Sequence, residues 1–250
     1  MPHPFLVLLI APFIGSFLGV LITRLPRGDD VVAARSRCDH CHHKLGPIEL
    51  LPLIGALLLR GRCRHCGQKI DRFHWHVELA AVAAALLAVI ATPDPALLWA
   101  TCILGWTLLA LTWIDLRHFL LPDALTLPLV LAGLTFTALV EPDAIADHAA
   151  AAFVGWAALA GLAALYRAWR GIDGLGGGDA KLLAAAGAWL GLAALPWLVA
   201  IAASLTLLAA LFLHRTDRTI GRITPLPFGP GLAAATWLIH LALTAGLFGN

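Results

Sequence analysis

Residues 176–215 read "GGGDAKLLAAAGAWLGLAALPWLVAIAASLTLLAALFLHR", and the 32 residues from 182 to 213 carry no charge. A single helix of that length would run about 48 Å, well beyond a hydrocarbon core of about 30 Å. Basic residues stand at both ends, Lys181 and Arg215, and such residues favour the cytoplasmic side of a bilayer. The stretch must therefore cross and return, turning near "GLAALP" at 191–196. Each leg then has only about 13–17 residues, which calls for tilted legs or a thinned bilayer.

Other apolar runs of membrane length occupy residues 5–22, 75–91, 96–114, 124–140, 149–165 and 231–248. The chain is 60% hydrophobic and only 13% charged, where a water-soluble domain carries about a quarter charged residues. The run at 5–22 reads as a retained span: "MPHP" before it has no Lys or Arg, and "ITRLPRG" after it is not a small-residue cleavage site. All 17 Lys and Arg fall in four places: 24–72, Arg117, 167–181 and 215–222. With those four on the cytoplasmic side, the expected fold is an all-α polytopic membrane protein of about eight transmembrane helices. Both termini would lie outside, and no nucleic-acid partner is expected.

Between the first two spans, residues 26–74 form the one polar segment large enough to fold alone, expected to be a small cytoplasmic zinc-binding loop domain. It holds "CDHC" (Cys38, Cys41) and "CRHC" (Cys63, Cys66). Two C-x2-C knuckles can present four thiolates tetrahedrally, as in a closed structural zinc site. Disulfides are disfavoured in a reducing cytoplasm. His40, His42, His43 and His65 stand beside the cysteines, either as substitute ligands or as solvated loop residues. Cys102, inside an apolar run, reads as a small packing residue.

A carboxylate at membrane depth is costly and so a functional candidate. Asp115 and Asp123 flank "LRHFLLP", and Asp179 follows the glycines 174, 176, 177 and 178; the charge pattern puts all three on one side. Asp123, following Pro122, reads first as a helix cap. For Asp179, four glycines exceed what a cap requires, and their freedom of backbone suits an extended peptide laid beside the carboxylate. Asp115 stands at a helix C-terminal end, where the dipole disfavours negative charge, so its placement has no cheap structural reason. Two carboxylates in reach of each other share a proton and titrate as a unit. One then deprotonates an attacking water while the other protonates a peptide carbonyl.

These residues resemble those of the type IV prepilin peptidases, membrane aspartic proteases of the G-x-G-D type. "DLRHFLLPD" from Asp115 to Asp123 resembles the family's D-x6-P-D segment, and "GGGDAKLL" from Gly176 its G-x-G-D-x-K-L segment. "PFGPGLA" from Pro227, "GSFLGVLITRLP" from Gly15 and the paired C-x2-C loop with "LLRGRCRHC" also resemble family segments in the same order. The resemblance implies that Asp115 and Asp179 are the catalytic pair, with Asp123, Gly176, Gly178 and Lys181 in support. Whether Lys181 is an interfacial charge or stands near the substrate leader stays open. It implies prepilin and pseudopilin precursors as substrates, cut after a glycine at the cytoplasmic face of the bacterial inner membrane. The implied organisation is a first span at 1–25, the zinc loop at 26–74 and the peptidase at 75–250.

Many members also methylate the new N-terminus with S-adenosylmethionine, an activity associated with the N-terminal half. That half departs from the usual pattern at three points. Gly19 replaces a usual Asn, Gly55 and Ala56 replace a usual Ser-Trp, and "RFHWHVE" at 72–78 lacks a usual Pro. Methylation is left open on that account. A transporter using intramembrane aspartates as ion sites is the competing class. The sequence does not fix the oligomeric state.

Overall fold

The computed structural model describes residues 3–31, 36–38, 40–46, 48–171, 176–216 and 226–247. Gly174 and the basic positions at 218 and 222 lie outside the described residues. Among the described residues the chain is helical: α1 (His3–Arg24), α2 (Ile54–Leu58), α3 (Phe73–Ala91), α4 (Pro95–His118), α5 (Asp123–Val140), α6 (Ile145–Arg170), α7 (Gly177–Leu190), α8 (Leu195–Thr216) and α9 (Gly229–Thr244). Six of these helices, α1, α3, α4, α5, α6 and α8, are long and apolar enough to cross a membrane, by length and composition. The remaining two long helices, α7 and α9, have 14 and 16 residues.

The chain divides into two compact units, 1–110 and 111–250, with the division inside α4. In the first, α1 runs along α3 at a small-residue seam. A Cβ on Gly15 would lie 2.5 Å from Glu78 Cα, so only glycine admits that approach. Trp106, in the leading part of α4, donates its indole N–H to the Ala81 carbonyl at 3.0 Å.

In the second unit α7 packs against α5, α6 and α9, and every residue from 179 to 190 except Lys181 is buried. The apolar stretch 182–213 breaks where expected, between residues 190 and 195. Gly191, at φ +76, ends α7, and α8 begins at Leu195. The turn is held by the Leu192 N–H donating to Asp147 Oδ2 at 2.9 Å. The two legs are unequal, however, at 14 and 22 residues. The short leg is surrounded by protein rather than lipid, so bilayer thickness does not set its length.

Close approach carries this packing. A Cβ on Gly187 of α7 would lie 2.5 Å from the Ala151 carbonyl oxygen of α6, whereas one on Gly161 would meet nothing within 4 Å. Gly187→Leu should therefore cost about 1–3 kcal/mol through overpacking, read as a lowered thermal midpoint in detergent, and Gly161→Leu should leave the midpoint in place.

Candidate active site and metal centre

Asp115 lies in the last turn of α4 and Asp179 in the first turn of α7, and both are buried, at 6% and 9% exposure. They lie within electrostatic reach of each other. Each is held by a backbone N–H. Gly229, the first residue of α9, donates to Asp115 Oδ2 at 3.1 Å. The Asp179 carboxylate reaches back to the backbone of Gly176, the N-cap of its own helix, which is the acidic half of a capping box.

The short link between α4 and α5 places buried Leu121 among these elements. A Cβ on Gly178 would lie 2.8 Å from Leu121 Cβ. One on Gly229 would lie 2.6 Å from Asp115 Oδ2 and 3.3 Å from Leu121 Cδ1. Three separate sequence segments, 115–123, 176–181 and 227–231, therefore meet at one place. Gly229 had been visible only as part of "PFGPG"; its backbone donor is the functional element that side-chain reasoning overlooked.

The glycine run differs from its sequence reading. Gly176, Gly177 and Gly178 all have negative φ. Gly178 is required by the approach of Leu121, a contact inside the protein. Gly177 faces open space, and a Cβ on Gly176 would stand 3.2 Å from Asp179 Oδ2. Among the described residues, Gly177 thus has open space beside it, and Gly176 lets its backbone lie against the carboxylate.

Asp123 is not a helix cap. Pro122 holds the N-cap position, and Asp123 Oδ1 pairs with Lys181 Nζ at 2.5 Å, tying the start of α5 to the start of α7. Lys181 thereby gains a partner that sequence could not supply. Both side chains are partly exposed, at 35% for Lys181 and 58% for Asp123, so solvent weakens the pair.

In the first unit, the sulfur atoms of Cys38, Cys41, Cys63 and Cys66 all lie within 4.8 Å of one another. Cys38 Sγ to Cys66 Sγ is 3.8 Å and Cys41 Sγ to Cys63 Sγ is 3.9 Å. A tetrahedral centre with metal–sulfur bonds of about 2.3 Å has sulfur–sulfur edges of about 3.8 Å, whereas a disulfide needs about 2.05 Å. The four residues fit a metal ion. The backbone N–H groups of Cys41 and His40 lower the pKa of the Cys38 thiol, favouring the thiolate that a metal binds.

The knuckles are built alike. Cys38 N–H donates to the His43 carbonyl and Cys63 N–H to the Gln68 carbonyl, with bridges pairing Arg37 with Lys44 and Arg62 with Lys69. His42, at φ +56, occupies the left-handed position that Gly67 fills in the second knuckle. The rings of His43 and His65 lie against each other, tilted by 36° with centroids 3.5 Å apart.

Residues 9–92 match the Bacterial Peptidase A24 N-terminal domain, and residues 102–212 match the Type IV leader peptidase family. The chain belongs to the type IV leader peptidase family. It is 39% identical to a prepilin leader peptidase/N-methyltransferase of Aeromonas hydrophila, covering 94% of this chain and 89% of that one. Identity to the protein of the same name from Dichelobacter nodosus is 35%, over 98% of this chain and 94% of that one. For Burkholderia pseudomallei (strain 1026b) it is 40%, over 88% and 79%. No solved structure matches. Family membership lends no support to the transporter alternative.

Two departures from the family pattern have local causes. A Cβ on Gly19 would lie 2.5 Å from His74 Nδ1, so the imidazole on α3 fills the space beside that position. A Cβ on Gly55 would lie 2.8 Å from the Ile48 carbonyl oxygen, so this backbone admits no side chain there.

A double-mutant cycle with Asp123→Asn and Lys181→Met should give a coupling of under about 1 kcal/mol in denaturation, as for exposed pairs generally. A larger coupling would mean that the pair is shielded from solvent.

Proposed function

We propose that this chain is an aspartic endopeptidase of the bacterial inner membrane that removes the short basic leader from type IV prepilins and pseudopilins. The observation that carries this reading is the convergence of Asp115 and Asp179, 64 positions apart in sequence, at one buried place with a backbone N–H on each. A peptide laid along Gly176 and Gly177 would bring its scissile carbonyl beside both carboxylates. With one proton between them, one carboxylate takes a proton from the attacking water. The other delivers its proton to the carbonyl oxygen, giving a tetrahedral intermediate without a covalent enzyme adduct. Gly229 holds Asp115 in place through this exchange, and the Asp123–Lys181 pair fixes the start of α7.

Eight crossings complete the arrangement, with α7 and α9 added to the six longer helices, both termini periplasmic and the cysteine loop cytoplasmic. At about 1.5 Å per residue α7 and α9 reach only roughly 21 and 24 Å. Protein around α7 supports a short crossing there. Residues 1–25 form the first span, 26–74 the metal-binding loop and 75–250 the peptidase. Zinc is the metal that four thiolates favour, and a four-thiolate centre supplies structure rather than a reactive position. Cys38, Cys41, Cys63 and Cys66 would hold it.

Incubation of the purified protein with a prepilin and S-adenosylmethionine, followed by mass spectrometry, tests the reading. Loss of the leader is expected, and Asp115→Asn or Asp179→Asn should each lower the rate by at least about a hundredfold with bound zinc and thermal midpoint retained. Intact precursor with the parent protein would sink the proposal. The same spectra report methylation as an added methyl group. Separately, Cys63→Ser should drop bound zinc from one per chain to near none in elemental analysis, and should open the loop to proteolysis.

A further inference from the structure

Residues 48–58, "IELLPLIGALL", lie between the two cysteine knuckles, an apolar stretch inside the otherwise polar segment 26–74. Their apolar side chains are not gathered into a core: Ile48, Leu50, Ile54, Leu57 and Leu58 are 53%, 46%, 53%, 77% and 64% exposed. The one carboxylate in the segment is folded inward, Glu49 Oε2 accepting from the Gly46 N–H at 2.6 Å.

The height of the segment is set by a single tie. Leu53 N–H donates to Glu78 Oε2 at 2.8 Å, and the Ser16 hydroxyl donates to the same carboxylate. Glu78 is itself buried, at 7% exposure. The 19 residues of α3 span about 28 Å, close to the hydrocarbon thickness. Phe73 opens that helix, so Glu78 stands roughly 7.5 Å inside its end. Ser16 stands roughly 12 Å inside the Arg24 end of α1. With α3 crossing the bilayer from its first turn, Leu53 would be hydrogen-bonded at acyl-chain depth. It is held there at φ +61 and ψ −49, in a tight γ-turn closed by the Ile54 N–H on the Pro52 carbonyl, a conformation that a residue with a β-carbon adopts only when its surroundings enforce it.

Immediately after the segment come Arg60, Arg62 and Arg64, a cationic cluster suited to anionic headgroups. Depth, apolar face and flanking charge agree on one occupant. We propose that residues 48–58 form a re-entrant segment inserted into the same leaflet as the adjoining ends of α1 and α3. Its exposed leucines and isoleucines contact lipid acyl chains, and the arginines contact anionic lipid headgroups. Leu53 N–H, which lipid could not satisfy, is satisfied by Glu78. The proposal rests on α1 and α3 crossing the bilayer and is independent of the peptidase reading.

The test uses the full chain in nanodiscs containing phosphatidylglycerol, doped with a phospholipid bearing a photoreactive group on its acyl chain. Labelled sites are mapped by mass spectrometry after digestion. Label on residues 48–58 should match that on α1 and α3 and exceed that on the knuckles, 36–46 and 62–70, by at least roughly fivefold. Label at the knuckle level overturns the proposal, while label on α1 and α3 reports the span reading separately. Glu78→Leu should lower the label on 48–58 severalfold, and Glu78→Gln, which keeps an acceptor for Leu53, should retain it. Excess prepilin should leave the label unchanged. Loss of label from 48–58 alone on adding prepilin would assign the segment to the substrate helix instead and overturn the lipid assignment.

Discussion

Asp115 stands at the C-terminal end of its own helix, where carbonyl groups point outward and offer a carboxylate no compensation. A buried charge-bearing group in that position needs donors from elsewhere, and the N-terminus of α9 supplies one through Gly229. Much of the second unit follows from that requirement. The end of α4 and the starts of α7 and α9 must come together, so the chain between them has to leave and return each time. Helices α5 and α6 make the first such excursion, and α7 and α8 the second. The tight turn at Gly191 and the burial of α7 are consequences of the same demand.

The meeting point is spaced by Leu121. Its side chain touches the places where Gly178 and Gly229 lack a Cβ, so three backbones close around one aliphatic group. Apolar packing beside the two aspartates limits the water around them, which strengthens charge interactions there. The Asp123–Lys181 pair lies outside this packing, on the more exposed rim. The carboxylate pair and the rim charge thus share the start of α7, the first completed by the end of α4 and the second by the start of α5, in different surroundings.

Apolar runs were enough to read an all-helical chain with helices of membrane length, because that pattern follows directly from solvation. Asp115 stood out for a related reason, its conflict with the helix dipole. The paired C-x2-C motifs announced a four-sulfur cluster because their ligand geometry is local. What sequence concealed depends on neighbours distant in the chain. The inequality of the two legs at 182–213 reflects the enclosure of α7 by α5, α6 and α9. Asp123 looked like a cap because its partner lies at position 181. Gly178 looked like accommodation for a substrate because Leu121 cannot be placed beside it from sequence. Gly229 contributes a backbone group, which side-chain chemistry does not advertise.

The knuckles repeat the same hydrogen bonds at an offset of 25 residues, from Cys38 to Cys63. During synthesis the first knuckle emerges with only two of the four sulfur atoms, too few to complete a tetrahedral centre. Ring closure must wait for Cys66, seven residues before α3 begins. By then α1 has already left the ribosome. Neither knuckle completes the four-sulfur cluster by itself, so the two repeats can close only together.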